Sequence, residues 1–139
     1  MKDVKDLLPH RVPFLFVDEL TEVSKEKITG KRLFTENDFF FKGHFPEYPV
    51  VPGVILVESM AQCGGAGINE QGILGEGGLF FLATIEKAKF RRQVVPGDEV
   101  RFEIENVRIS PKMLKQKGKA YVGDELAAEA EWLCIVGSK

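Results

Sequence analysis

Val100, Phe102 and Ile104 alternate with Arg101, Glu103 and Glu105, the period-two pattern of a strand with one wet face. This predicts a run of strands in the C-terminal half, from Val100 to Ile109, Lys112 to Val122 and Glu125 to Val136, with Gly123-Asp124 as a hairpin turn. Pro96-Gly97-Asp98 reads as the turn before them. Ahead of it, Leu79 to Val94 reads as one long strand with a bulge. In the N-terminal half the pattern predicts a short helix from Asp3 to Leu8. Two strands follow, Phe14 to Val23 and Lys27 to Phe34, joined at Ser24-Lys25-Glu26, then an aromatic turn at Phe39-Phe40-Phe41.

The middle of the chain behaves differently. From Val54 to Cys63 nearly every residue is apolar or small, with Glu58, Ser59 and Gln62 the exceptions. Pro52 suits the opening turn of a helix, where its missing N–H costs nothing. The expectation is a buried central helix from about Gly53 to Asn69, followed by a loop from Gly72 to Gly78. Gly64, Gly65 and Gly67 cost helix propensity, about 1 kcal/mol each against Ala, so their small size points to close packing. One long apolar helix with several antiparallel strands makes an α+β fold.

Composition narrows the class. The 139 residues fit a single domain, residues 1–139. Apolar content of 44% and charged content of 29% are those of a soluble globular protein. A net charge of −2 carries no nucleic-acid signature. Cys63 and Cys134 form neither a ligand cluster nor a disulfide framework, and two scattered histidines add no metal-ligand spacing. Without a leader or a long apolar span the expected location is the cytoplasm. Most of the eleven phenylalanines are expected in the core.

The sharpest chemical feature is Glu58. Glutamate is rarely buried unless paired or functional, and no Lys or Arg occurs between Gly43 and Glu86. An apolar setting favours the protonated form of a carboxyl, which is what a general acid needs. The bland alternative is a carboxylate facing water on a half-exposed helix. His44 stands about nine residues before Gly53, flanked by Gly43, which permits unusual backbone angles, and by Phe45, Pro46 and Pro49, which stiffen the segment. A neutral imidazole held there can take a proton. A structural histidine is the alternative, and spacing alone does not say how His44 and Glu58 would meet. The first N–H groups of the helix, at Gly53 and Val54, lack internal partners and could polarise a carbonyl. Gln62, one turn after Glu58, either orients the carboxyl or satisfies a buried backbone group.

Four segments together resemble the FabZ-type 3-hydroxyacyl-[acyl-carrier-protein] dehydratases. They are Leu7-Leu8-Pro9-His10-Arg11-Val12-Pro13-Phe14, Gly43-His44-Phe45-Pro46, Pro52-Gly53-Val54 with Glu58-Ser59-Met60-Ala61-Gln62, and Phe90-Arg91-Arg92-Gln93-Val94-Val95-Pro96-Gly97-Asp98. The resemblance implies a hotdog fold, an antiparallel sheet wrapped around the helix. It implies dehydration of 3-hydroxyacyl chains carried on acyl carrier protein, with His44 of one subunit working beside Glu58 of another in a homodimer, commonly within a trimer of dimers, and no cofactor beyond the carrier's own phosphopantetheine. The acid is Glu; a related dehydratase-isomerase branch carries Asp, so the resemblance favours plain dehydration. Val12, Glu47, Tyr48 and Val51 depart from the family's usual residues, which bears on the shape of the acyl tunnel. Lys87, Lys89, Arg91 and Arg92 form a basic cluster. It is either a solvated sheet face or a landing patch for the acidic carrier. Two rivals follow from the same residues: a hotdog thioesterase in which Glu58 activates water, and a non-catalytic acyl-chain or carrier-binding module.

Overall fold

A computed structural model describes residues 1–43, 47–74 and 78–137. His44, Phe45 and Pro46 lie outside the described residues, as do 75–77 and 138–139. In chain order the elements are α1 (Val4–Leu7), β1 (Glu19–Val23), β2 (Lys27–Leu33), a 3-10 turn (Phe39–Lys42), α2 (Gly53–Gln71), β3 (Leu79–Phe90), β4 (Glu99–Ile109), β5 (Met113–Val122) and β6 (Glu125–Gly137). The six strands form one sheet in the order β1-β2-β4-β5-β6-β3, every neighbouring pair antiparallel. Helix α2 packs across the sheet and touches every strand. This is the α+β, hotdog architecture expected from the sequence.

Alternation decides which face meets the helix. Val100, Phe102 and Ile104 of β4 are fully buried under α2, with Ile28 of β2, Leu114 of β5 and Trp132 of β6. From the helix, Met60, Cys63, Ala66 and Ile68 fill the same layer. Burial raises the Cys63 thiol well above its ordinary range, so it is a core residue and not a nucleophile. The phenylalanines divide more evenly than expected. Phe16, Phe34, Phe40, Phe41 and Phe102 are buried, while Phe14, Phe39, Phe81 and Phe90 are exposed.

Two boundaries moved for identifiable reasons. The first strand begins at Glu19, not near Phe14, because the backbone there bonds to the helix instead of to a ladder. Phe16 N–H donates to Gln62 Oε1 at 2.8 Å, and Phe14 C=O accepts from Gln62 Nε2 at 3.0 Å. The long strand stops at Phe90, where Arg91 and Arg92 N–H both turn to the Ala127 carbonyl. Its expected bulge is present: the register shifts between Glu86 and Lys89, and Lys87 takes φ 52°. Helix α2 ends at Gly72, whose φ of 69° is the left-handed conformation glycine adopts without strain. Among the described residues no helix is long and apolar enough to cross a membrane.

The helix glycines do serve close approach. A Cβ on Gly64 would sit 2.1 Å from Gln116 Oε1. Gln116 is fully buried, accepting from Trp132 Nε1 at 3.2 Å and donating to Asn106 Oδ1 at 2.8 Å. Gly64→Ala gains about 1 kcal/mol of helix propensity, but overpacking a filled core costs about 1–3 kcal/mol and here also displaces a satisfied amide. The expected result is a lower urea midpoint with a shifted emission from Trp132, the only tryptophan. A midpoint at or above that of the parent would contradict this account.

Candidate active site

Helix α2 opens at Pro52 without a side-chain cap. Ile55 and Leu56 N–H both bond to the Pro52 carbonyl, so Gly53 and Val54 N–H are the donors that the helix itself leaves over. Val54, at 74% exposed, is an apolar side chain facing out of the molecule. The Phe90 ring lies over Gly53, so close that a Cβ there would meet it at 2.8 Å. Glycine at this position lets the ring of β3 seat on the helix start.

Little more than a turn further on, Glu58 is neither fully buried nor free in water; its side chain is 22% exposed. The expectation of a fully sequestered carboxyl is corrected to a sheltered one, because the helix face it occupies is covered by the N-terminal segment rather than by the sheet alone. Gln62 Nε2 donates to Glu58 Oε2 at 2.9 Å. Gln62 therefore does both things left open by its spacing. It orients the acid, and it satisfies the backbone of Phe14 and Phe16. Every polar atom of one amide is used, which fixes the carboxyl in one place.

An imidazole does approach Glu58, and it is His10. Its Nε2 lies 3.7 Å from Glu58 Oε2. Burial, more than any other influence, pushes the His10 pKa below its ordinary value; Glu58 pulls it up and Arg11 pushes it down. The sequence pattern did not single out His10, which is 48 residues from Glu58 and off any helical or strand repeat. Its place in the Leu7–Phe14 segment that carries the family resemblance, and its being one of two histidines, were the available signals. On the sheet side stands Cys134, its thiol pushed up to about 12 by burial and by the Glu58 charge. His44, the expected base, lies outside the described residues. The flanking Gly43 has ordinary right-handed angles, φ −102° and ψ −10°, so it is not chosen for unusual backbone freedom.

The basic cluster is largely spoken for. Lys87 faces Glu131 at 3.5 Å, Arg91 bonds Glu129 at 3.0 Å, and Arg92 lies 3.2 Å from Asp98 and 3.3 Å from Glu125. The hydrogen bond from Arg91 holds Glu129 below the usual carboxylate range. Three of the four cations, Lys87, Arg91 and Arg92, thus sit among carboxylates of the same subunit.

Known proteins identify the family of this chain. A family model described as a FabA-like domain matches residues 8–131. A 3-hydroxyacyl-[acyl-carrier-protein] dehydratase FabZ from Clostridium kluyveri is 41% identical, covering 100% of this chain and 96% of the relative. One from Desulforamulus reducens is 46% identical, covering 98% and 96%. Among solved structures, the dehydratase heterocomplex ApeI:P from Xenorhabdus doucetiae superimposes with a TM-score of 0.86 at 15% identity, covering 100% of this chain and 93% of that one, which speaks to the fold. Full-length likeness at this level, on a chain that carries an acid in its central helix, makes this protein a member of the FabZ 3-hydroxyacyl-[acyl-carrier-protein] dehydratase family.

Proposed function

We propose that this enzyme dehydrates 3-hydroxyacyl chains on acyl carrier protein to trans-2-enoyl chains, with Glu58 as the general acid and His44 of a second subunit as the base. The observation that carries the acid assignment is the state of the Glu58 carboxyl. Oε2 is held by Gln62, no described residue hydrogen-bonds Oε1, and an uncapped helix start lies five residues away. The thioester carbonyl accepts from Gly53 N–H, with Val54 N–H as the second donor, and such a donor is worth about 2.7–4 kcal/mol in comparable oxyanion sites. His44 takes the α-proton as the enolate forms. Glu58 gives its proton to the β-hydroxyl, the C–O bond breaks, and water leaves. Acid, base and polarised carbonyl suffice, so the reaction calls on no metal, nucleotide or flavin.

A second copy fits the free edge of the sheet. β3 is an edge strand with Phe81, Leu82 and Ile85 exposed, and unpaired edges of this length invite pairing. We take β3 against β3 as the homodimer contact, consistent with the outward Val54 near the helix start; three such dimers would make the hexamer common in the family. The carrier docks on the outer sheet face, where Lys87 and Lys89 are the cations best placed to exchange protein carboxylates for those of the carrier; Arg91 and Arg92 stay tied within the subunit. The enzyme then works in the cytoplasm beside the carrier.

The test supplies 3-hydroxyacyl thioesters on the carrier and on a short pantetheine mimic, and follows enoyl absorbance. Both are dehydrated, and only the carrier-bound substrate loses kcat/KM as salt rises. Release of free acid would instead mark a thioesterase, and binding without product a non-catalytic module. A salt-independent carrier reaction would remove the docking assignment alone.

A further inference from the structure

We propose that His10 is a positioning residue for the acid: its Nε2–H, with the Gln62 amide, holds Glu58 Oε2 so that Oε1 is the oxygen that delivers the proton. The proposal deepens the reading above and rests on Glu58 being the acid.

Both approaches to the carboxyl are made to the same oxygen. Gln62 Nε2 reaches Oε2 at 2.9 Å and His10 Nε2 faces it at 3.7 Å. The second distance is beyond a formed hydrogen bond, but contacts of this kind close when substrate fills a site. The other ring nitrogen, His10 Nδ1, is buried without a hydrogen-bond partner among the described residues. A proton on Nδ1 would strand a buried donor, whereas a proton on Nε2 faces a carboxylate oxygen. The tautomer that wastes less is therefore the one that serves Glu58.

The loop is built to hold the ring still. Arg11 Nη1 donates to the carbonyls of Leu8 at 2.8 Å and His10 at 2.7 Å, and its Nη2 donates to that of Lys5 at 2.9 Å. On the far side, Gln62 pins Phe14 and Phe16 to α2. Two titratable or charged groups flank the pair: Arg11 is committed to carbonyls, and the Cys134 thiol stays protonated. Burial and Arg11 keep the imidazole uncharged at neutral pH against the pull of Glu58.

Selective 15N-histidine NMR of the wild-type protein tests the tautomer, with His44→Gln used only to assign the two signals. The expected spectrum at neutral pH shows His10 protonated at Nε2 alone. Kinetics test the role. His10→Phe keeps the ring shape and loses about tenfold or more in kcat with KM little changed, while His10→Gln, whose Nε2 can stand in for the imidazole donor, restores most of it. An Nδ1–H tautomer or an imidazolium at neutral pH overturns the proposal. So does a folded His10→Phe with wild-type kcat, or a His10→Gln no better than His10→Phe. If His10→Phe does not fold, the wild-type spectrum still decides. Full activity of Glu58→Gln would sink the acid assignment instead, and the tautomer readout keeps the two failures apart.

Discussion

Glu58→Gln abolishes most turnover of a 3-hydroxyacyl thioester while the protein stays folded. The substitution is isosteric, and the new amide oxygen can still accept from Gln62, so the clamp on Phe14 and Phe16 survives. The carboxyl is partly exposed and packs at the rim of the core, so the unfolding midpoint should move little. What disappears is the proton for the leaving hydroxyl. A positioned acid contributes about 10²–10⁴-fold, equivalent to roughly 2.7–5.5 kcal/mol of barrier. The loss falls on kcat, since an amide binds the ground-state hydroxyl about as well as a carboxyl does. Enoyl absorbance under saturating substrate, read beside circular dichroism, checks both halves. A folded Glu58→Gln enzyme within a few fold of wild type would remove Glu58 from the chemistry.

Coexpression of His44→Ala and Glu58→Gln chains with different tags restores activity that neither variant has alone. If each site takes its base from one subunit and its acid from the other, a mixed dimer holds one site with both groups changed and one intact. Random pairing then gives about a quarter of the wild-type sites. His44→Ala by itself should lose about 10²–10⁴-fold, the usual weight of a general base. The doubly tagged fraction isolates the mixed dimers, so the regained rate can be assigned to them. A purified mixed dimer as inactive as its parents would mean that both groups act within one chain. The edge position of β3, with its exposed phenylalanine and isoleucine side chains, is the structural reason to expect the pairing.

Much of the architecture was legible because it is local. Alternation at Val100, Phe102 and Ile104 assigns a wet face and a dry one without reference to any distant residue. An apolar stretch behind Pro52 makes a buried helix, and the glycines within it mark close packing. A carboxyl in that helix is conspicuous against its neighbours. The first strand starts at Glu19, later than local alternation from Phe14 implies, for the opposite reason. The backbone partners of Phe16 and Phe14 are atoms of Gln62, 46 and 48 residues away, and nothing in the local pattern records them.

The same division runs through the site. The sequence by itself determined most of the elements and their faces and singled out Glu58 as the candidate acid, since periodicity and composition act within one or two turns of chain. Only the tertiary structure decided that Gln62 serves three partners at once, that among the described residues His10 is the imidazole set against Glu58, and that the basic cluster is mostly paired with carboxylates. Those outcomes depend on which segments a folded chain stacks on one another, and packing of that kind is settled by the summed burial of the whole core rather than by any residue's neighbours in sequence.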